Sequence, residues 1–287
     1  MRQQDLSKLL DQVDHQAFFD TLDTADKATI LSEMLDGASD FLEAVPQGNK
    51  AMAPEEFVCE LSTRPCLKHF PEDSWCPLCD DVLDAKGRHA HRCAAGGDRV
   101  RRHNATRNAV GAFADAGGWR PELEKPGLLQ PSPDQPGAQR RRPADVYIPA
   151  WKNGTPAALD IAITSPHRQD YLIEASRSTG YAATVYEQYK RDYLGTAQDC
   201  LHQGIAFLPV VAETSGGWGL SASSTFKTLA RAVAMKTGEE ASSVLRSQRQ
   251  ILGIGIRRAN ARAIFRRQSS TTDHDDPRIA AELALID

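Results

Sequence analysis

Residues 140–164, RRRPADVYIPAWKNGTPAALDIAIT, contain two short runs of branched apolar residues separated by a turn signal. The runs cover residues 145–149 and 158–164, and the pair Asn153-Gly154 between them is typical of a β-hairpin turn. The pattern therefore predicts two antiparallel strands. Asp145 is expected to start the first strand, and Asp160 to lie within the second.

Other segments around this hairpin carry helical or β patterns. The predicted elements are a helix over residues 98–116, a loop over 126–143 rich in Pro, Gly and Gln, a helix over 185–199, a strand over 205–212 ending in the turn Gly216-Gly217, and a helix over 226–235. Strands flanked by helices on both sides predict an α/β or α+β core.

Residues 1–58 show apolar residues at three- and four-residue steps, which predicts a small helical segment. Thr24 or Asp26 is the expected cap of its second helix. A third short helix around residues 41–45 is expected to end at Pro46-Gln47-Gly48. We expect these helices to pack on each other or on the core, and a partner-binding face is the alternative.

A second motif lies upstream of the hairpin. Cys76, Cys79, His89 and Cys93 have the spacing Cys-x2-Cys-x9-His-x3-Cys, which is typical of a tetrahedral zinc knuckle. His91 is an alternative ligand, but His89 is favoured because three intervening residues let the chain turn back before Cys93.

The remaining cysteines have no comparable spacing, so we expect plain buried thiols at Cys59, Cys66 and Cys200. Ordinary reduced thiols at the four knuckle positions are the competing interpretation. Cysteines arranged as ligands fit a reducing, intracellular compartment.

Composition limits the classes of protein. The chain has 287 residues, and an apolar content of 41% is enough for a core in one large or two modest domains. No apolar run reaches the length of a membrane-spanning helix, and the N-terminus lacks the apolar block of a secretory signal. We therefore expect a soluble protein without a membrane partner.

The net charge of −4 is unevenly distributed, because acidic residues dominate the N-terminal third while basic residues cluster elsewhere. Local basic patches favour contacts with nucleic acid. The candidate nucleic-acid-binding residues are Arg99, Arg101, Arg102, His103 and Arg107 on the predicted helix, Arg140, Arg141 and Arg142 in the loop, and Arg257 and Arg258 near the C-terminus.

Residues 242–270 contain seven arginines and no acidic residue, which indicates a surface that attracts polyanions. Gly253 and Gly255 are expected to interrupt a helix here. Two alternatives are a nuclear-targeting signal, which is compatible with DNA binding, and a solvated helix whose counter-charges lie elsewhere.

Acidic residues follow the knuckle in the order Glu124, Asp145 and Asp160. Carboxylates on neighbouring strands can hold Mg²⁺ or Mn²⁺ against a phosphate, so Asp145 and Asp160 are candidate metal ligands. Glu124 is the candidate third acid, with Glu122 as its competitor. Such a site also needs a lysine to hold the phosphate or the nucleophile.

The order of these motifs resembles the restriction-enzyme-like endonuclease of site-specific non-LTR retrotransposons, a PD-(D/E)XK type nuclease. The resemblance covers about residues 40–267. It rests most on the segments CPLC, GRHAHRC, GGDRVRRHN, RRRPAD and ALDIAIT, and the order continues to YEQYK. It implies a restriction-endonuclease-like core with a central mixed sheet flanked by helices, and an enzyme that nicks target DNA to prime reverse transcription.

The resemblance also implies roles for single residues. Asp145 and Asp160 would bind Mg²⁺, Glu124 would be the preceding acid, and Lys190 would be the catalytic lysine, with Gln188 beside it. The chain departs from the simple motif at two places: Ala144 separates Pro143 from Asp145, and Ala162 stands two residues after Asp160, where a lysine is expected.

The predicted domains are a helical segment at 1–58, a knuckle at 59–98, a nuclease core at 99–236, and a basic helix with an acidic tail at 237–287. The leading hypothesis is a Mg²⁺-dependent DNA endonuclease that binds DNA, and RNA as a second ligand, in the nucleus. The alternatives are a decayed nucleic-acid-binding module and a reused scaffold. Reverse-transcriptase motifs are absent, so such a partner is expected on a separate polypeptide or an upstream part.

Overall fold

The computed structural model describes residues 3–129 and 141–269. Its α-helices are α1 Gln3–Thr21, α2 Thr24–Glu33, α3 Pro54–Thr63, α4 Arg88–Arg92, α5 Asp98–Ala116, α6 Leu172–Ala175, α7 Tyr181–Asp192, α8 Thr196–His202, α9 Leu220–Thr237 and α10 Ala241–Ser269. Its strands are β1 Ser74–Trp75, β2 Val82–Leu83, β3 Glu122–Leu123, β4 Val146–Ile148, β5 Ala157–Thr164 and β6 Ala206–Glu213.

The central sheet has four strands in the order β3-β4-β5-β6. Strands β3, β4 and β5 run antiparallel, with Val146 opposite Leu159, so the predicted hairpin is confirmed. Strand β6 pairs with β5 in parallel, with Asp160 opposite Pro209. A parallel neighbour needs a long crossover, and α7 and α8 lie within that connection. The mixed α+β fold class is confirmed.

Helices cover both faces of this sheet because alternate residues of each strand point to opposite sides. On one face, Leu159 and Ile161 pack with α5 and α9 through Phe113 and Phe226. On the other face, Ala162 of β5 packs with Ala183 of α7. Asp160 has the same parity as Ala162, so its side chain lies on the α7 side.

Two predicted helical boundaries are wrong. The helix expected over residues 185–199 is two helices, α7 and α8, because Leu194 between them adopts a left-handed backbone with φ of 49°. Conversely, Gly253 and Gly255 do not interrupt α10. A Cβ added at Gly253 would meet only the Gly37 carbonyl oxygen, at an ordinary contact distance of 3.9 Å.

The N-terminal segment is helical, as predicted, but its details differ. Asp23, and not Thr24 or Asp26, caps α2 by accepting a hydrogen bond from the Asp26 amide at 2.7 Å. The expected third helix is a single 3-10 turn, Asp40–Glu43. Helix α3 extends across the predicted boundary at residue 58.

The arginines of α10 mostly face carboxylates of this same chain. Their ion pairs are Arg249 with Asp36 and Asp40, Arg257 with Glu33 and Glu60, Arg258 and Arg262 with Glu56, and Arg266 and Arg267 with Asp98. Most of these acids come from the acidic N-terminal third. The alternative of counter-charges elsewhere in the chain therefore describes α10 better than a free polyanion-binding surface.

Arg257 shows this intramolecular pairing most clearly. Its side chain is 1% exposed and lies between Glu33 and Glu60, with its guanidinium 4.1 Å from the centre of the Phe41 ring. The nucleic-acid role predicted for Arg257 would therefore require this buried side chain to leave both carboxylates. Arg258 is partly exposed and pairs with Glu56 at 3.5 Å.

None of the helices in residues 3–129 and 141–269 combines the length and apolar character needed to cross a bilayer.

Candidate metal centre and acidic cleft

The four predicted knuckle ligands lie together. One ligand atom from each of Cys76, Cys79, His89 and Cys93 falls within 4.8 Å of all the others. The Cys79 Sγ atom is 3.2 Å from the His89 Nε2 atom and 3.5 Å from the Cys93 Sγ atom. Three thiols and one imidazole form a donor set suited to zinc, so this group could hold a metal ion such as zinc.

Short local structures position these ligands. Strands β1 and β2 form a small hairpin, and the Cys76 amide donates to the Asp81 carbonyl at 2.9 Å, which turns the Cys76–Cys79 loop. Asp84 accepts hydrogen bonds from the amides of Arg88 and His89 at the start of α4. These two hydrogen bonds orient the helical turn that carries His89.

The structure favours His89 over His91, as predicted. The His89 Nδ1 atom lies 3.3 Å from an Asp81 carboxylate oxygen, although the alignment falls short of a hydrogen bond. A carboxylate beside Nδ1 favours a ring whose Nε2 is free for the metal. His91 is buried outside this group, and burial holds its pKa well below the usual value.

Arg267 of α10 is a buried neighbour of the metal-binding group that the sequence motif did not indicate. Its side chain is fully buried, and its Nη1 atom donates to Asp98 at 3.2 Å. Burial lowers the pKa of Arg267, but contacts with Cys93, Asp98 and Cys76 outweigh this effect and raise it overall. Its Nε and Nη2 atoms lack a well-aligned partner among the described residues. They would suit thiolates of a zinc centre, which carries a net negative charge with three cysteines.

The other cysteines are buried thiols, as predicted. Burial raises the pKa of Cys59 to about 12 and the pKa values of Cys66 and Cys200 to about 11. Such thiols are poor nucleophiles at neutral pH.

A separate open cleft of about 450 Å³ brings together three of the four predicted catalytic side chains. Asp145 directly precedes β4, Asp160 lies in the middle of β5, and Lys190 lies on α7. These elements meet because β4 pairs with β5 and because α7 packs on the face of the sheet to which Asp160 points.

Asp145 is fixed by two neighbours. Its Oδ2 atom accepts a hydrogen bond from the Ile161 amide at 2.7 Å and lies 3.3 Å from the His103 Nε2 atom. The hydrogen bond with Asp145 raises the pKa of His103. His103 Nε2 also lies 3.1 Å from the Ile161 carbonyl oxygen, so α5 and β5 hold Asp145 from two sides.

Asp160 and Lys190 form an ion pair with 2.8 Å between Oδ1 and Nζ. Burial raises the pKa of Asp160 to about 6 against the opposing effect of Lys190. Burial lowers the pKa of Lys190, but Asp160 outweighs it and raises the pKa overall, so Lys190 is charged at neutral pH. A cluster of ionisable groups with shifted pKa values in a cleft is typical of functional sites.

One oxygen of each carboxylate remains available to a cation. Asp145 uses Oδ2 and Asp160 uses Oδ1, whereas Asp145 Oδ1 and Asp160 Oδ2 accept no hydrogen bond from the described residues. Hard carboxylate oxygens on adjacent strands are suitable ligands for Mg²⁺ or Mn²⁺. The donor set therefore fits the predicted divalent ion.

The fourth predicted catalytic residue, Glu124, lies outside the cleft. Its backbone is left-handed with φ of 49°, and its amide donates to the Asp145 carbonyl at 2.9 Å. This turn directs its carboxylate to an ion pair with Arg107. The role predicted for Glu124 as a site acid would require this ion pair to break.

The side chains of the two alternative site residues, Glu122 and Gln188, also point away from the cleft. Glu122 is exposed and pairs with Lys125 at 2.8 Å. Gln188 donates to Asp192 on the exposed surface of α7. Neither side chain lines the cleft.

The candidate phosphate-binding arginines divide into two groups. Arg99 and Arg142 are exposed, line the cleft, and make no ion pair with a described residue. Arg140 lies outside the described residues. Arg101 pairs with Asp98 at 3.1 Å.

Three arginines have structural contacts instead of free guanidinium groups. Arg102 is buried and donates to the His91 carbonyl at 2.8 Å, Arg107 pairs with Glu124, and Arg141 pairs with Asp199 at 2.7 Å. These intramolecular contacts compete with the nucleic-acid contacts predicted for the three arginines. They were not predicted because a sequence shows where cations lie but not which carboxylates fold against them.

The roles of two cleft residues, His103 and Tyr186, were not predicted from the sequence. His103 was assigned to phosphate contact from its basic neighbours, and it contacts Asp145 instead. Tyr186 lines the cleft beside Lys190. Tyr186 and Lys190 are four residues apart on one helix, and this spacing predicts that both side chains lie on the same face.

Comparison of the chain with protein-family models, curated proteins and solved structures found no significant match.

Proposed function

We propose that this chain is a divalent-cation-dependent DNA endonuclease whose site is the cleft containing Asp145, Asp160 and Lys190. The observation that carries the proposal is the convergence of these side chains from three elements in one open cleft. The order of the motifs in the sequence, which resembles retrotransposon endonucleases, supports the same reaction class.

Each residue has a role in this proposal that follows from its contacts. Asp145 and Asp160 would hold Mg²⁺ or Mn²⁺ through the carboxylate oxygens that accept no hydrogen bond from the described residues. When bound, such an ion neutralises charge on the phosphate and favours formation of a hydroxide nucleophile. His103 and the Ile161 amide keep Asp145 in place as a ligand.

Lys190 would supply a positive charge at the site in addition to that of the metal ion. Its amine lies 2.8 Å from Asp160, so it can contact the same phosphate that the carboxylates face, or the oxygen that leaves. Arg99 and Arg142 on the cleft wall would hold phosphates on either side of the cleaved bond. Attack of water on phosphorus with cleavage of the P–O3′ bond would leave a 5′-phosphate and a 3′-hydroxyl, and a 3′-hydroxyl suits the priming of DNA synthesis.

Lys190 would also replace the lysine that is missing from the simple motif. Ala162 occupies the position where a lysine is expected, but it lines the same cleft and packs near α7. A lysine on the adjacent helix can therefore deliver its amine to the place that a lysine on the strand would reach.

A second candidate function is a nucleic-acid-binding module whose nuclease centre has decayed. The ion pair between Asp160 and Lys190 favours it, because this pair occupies one ligand oxygen in the absence of a cation. The Cys76-Cys79-His89-Cys93 group and the cleft arginines Arg99 and Arg142 would then serve binding alone.

Nicking of supercoiled plasmid in Mg²⁺ separates these functions. The native chain is expected to nick, and Asp145→Asn combined with Asp160→Asn is expected to lower the nicking rate by roughly 10²- to 10³-fold while binding remains salt-sensitive. Asp115→Asn, at an exposed position on α5, is the control and should cut normally. Equal cutting by the native chain and the double variant would overturn the site. Binding without cutting by the native chain would favour the second function.

A further inference from the structure

Three tyrosines form a row along α7 and the turn that follows it. The ring centres of Tyr186 and Tyr189 are 5.4 Å apart, and those of Tyr189 and Tyr193 are 5.5 Å apart. Steps of three and four residues place side chains on one face of a helix. We call Tyr186, Tyr189 and Tyr193 the tyrosine row.

The tyrosine row connects the acidic cleft to the protein surface. Tyr186 lines the cleft, and the Lys190 amine lies 5.9 Å from its ring centre. Tyr189 is 50% exposed and Tyr193 is 49% exposed, so the row leaves the cleft and continues in solvent. The described part of the chain does not cover these two rings.

The charges beside the row limit what it can bind. The Arg168 guanidinium lies 5.9 Å from the Tyr186 ring, on a side chain that is 46% exposed. Arg168 pairs with Asp170 at 2.9 Å, as Lys190 pairs with Asp160, and both cations lie next to the Tyr186 ring of the row. Aromatic rings that stack bases, next to cations that contact phosphates, are typical of sites for single-stranded nucleic acid.

Base-paired DNA does not offer the same contacts, because its bases are stacked on each other inside the duplex. Unpaired bases present free faces to tyrosine rings. The chemistry of the row therefore selects an unpaired segment over an intact duplex.

We propose that the tyrosine row binds an unpaired nucleic-acid segment as it leaves the cleft. The placement of the cleaved phosphate in the cleft rests on the proposed function, whereas the stacking itself does not require cutting. The substrate would then be DNA with single-stranded bases next to the cleavage site, such as a melted or branched duplex.

Fluorescence anisotropy of the full chain, without divalent cations, tests the row. The probes are oligo(dT), oligo(U) of the same length, about 20 nucleotides, and a blunt duplex. Tyr189→Ala combined with Tyr193→Ala is expected to bind a single strand at least about 10-fold more weakly, with little change for the duplex. Tyr189→Phe with Tyr193→Phe keeps the rings and should bind normally. Phe18→Ala, at an exposed aromatic residue of α1, is the matched control.

Unchanged single-strand binding by the alanine pair would overturn the proposal, as would an equal loss on single strands and duplex. Tyrosine-dependent binding of either oligonucleotide supports it and identifies DNA or RNA as the ligand. Plasmid nicking by the Asp145→Asn, Asp160→Asn variant is a separate readout. Failure of the nuclease assignment is therefore distinguishable from failure of the tyrosine row.

Discussion

Arg267 links the metal-binding cysteines to α10 at the level of a single side chain. It is fully buried beside Cys76 and Cys93 and is anchored by Asp98. A cation near three thiolates stabilises their ionised, metal-binding form. Its position is analogous to the outer-shell partners that orient and tune metal ligands.

Arg267→Met should weaken zinc binding by roughly 10- to 100-fold, which is typical of the loss of an outer-shell partner. Competition with a chromophoric zinc chelator measures this affinity. Arg246→Met on the same helix is the control, because Arg246 makes no ion pair with a described residue. Equal zinc affinity in the two variants would contradict the role of Arg267.

Glu60 predicts a pH dependence of stability. It is 1% exposed, and burial raises its pKa to about 7 despite the ion pair with Arg257. The folded state therefore binds a proton more tightly than the unfolded state, whose carboxyl has a pKa near 4.3. The stabilisation from this proton is full below that value and is lost as pH rises to about 7.

Glu60→Gln removes the carboxyl group that titrates in this pH range. We expect the free energy of unfolding of the native chain to fall relative to the variant between pH 5 and pH 8, by up to about 3 kcal/mol. Urea unfolding of both proteins at the two pH values measures the difference. A constant difference between the proteins would exclude Glu60 as the titrating group.

The residue scale also shows what the sequence could establish. The knuckle ligands and the pair Asp145 and Asp160 follow from local spacing and from the alternation of a β-strand, so both were predictable. The ion pair of Glu124 with Arg107 was not. It depends on a left-handed turn at Glu124, a conformation that a non-glycine residue rarely adopts and that its neighbours in sequence do not indicate.

At the scale of elements, α10 joins the N-terminal helices to the core. Arg257 is central to this packing, because it contacts Glu33 of α2 and Glu60 of α3. The guanidinium also donates to the Ala38 carbonyl at 3.0 Å. Breaking a buried ion pair by removing one partner leaves the other charge without compensation.

Arg257→Met should therefore lower the free energy of unfolding by about 3–5 kcal/mol. Chemical denaturation at neutral pH gives the value, with Arg246→Met as the control on the same helix. A loss within about 1 kcal/mol of the control would mean that the pairs with Glu33 and Glu60 contribute little to the fold.

Pairing between elements was predictable from the sequence only where the elements are neighbours in the chain. The hairpin of β4 and β5 is local, since Asn153-Gly154 and the alternating residues lie within one short segment. The parallel pairing of β6 with β5 is between distant segments, and no residue of either strand specifies its partner. The pairing of α10 arginines with N-terminal acids is equally distant, and a count of arginines therefore suggested a free surface.

For the whole molecule, the metal-binding group is part of a larger apolar cluster. Cys76 and Cys93 pack with Leu83 and with Ala261 and Ile264 of α10. Metal binding and the packing of α10 should therefore be coupled, since a ligand that binds only the folded state stabilises it.

The purified chain should contain one zinc ion, and a strong chelator should lower its Tm. Cys79→Ser should lose the zinc, whereas Cys200→Ser should retain it because Cys200 lies in a different cluster. Elemental analysis and thermal unfolding monitored by circular dichroism provide both readouts. Full zinc occupancy in Cys79→Ser would exclude the proposed ligand set.

The central claim is that Asp145, Asp160 and Lys190 act as one hydrolytic unit. Single-turnover nicking of supercoiled plasmid in Mg²⁺ tests it most directly, with Asp145→Asn, Asp160→Asn, Lys190→Met and the triple variant compared with the native chain. We expect each single variant to lose roughly 10²- to 10³-fold in rate, and the triple variant to lose little more, because residues that act together are not additive. A native nicking rate in any one of the single variants would contradict the account.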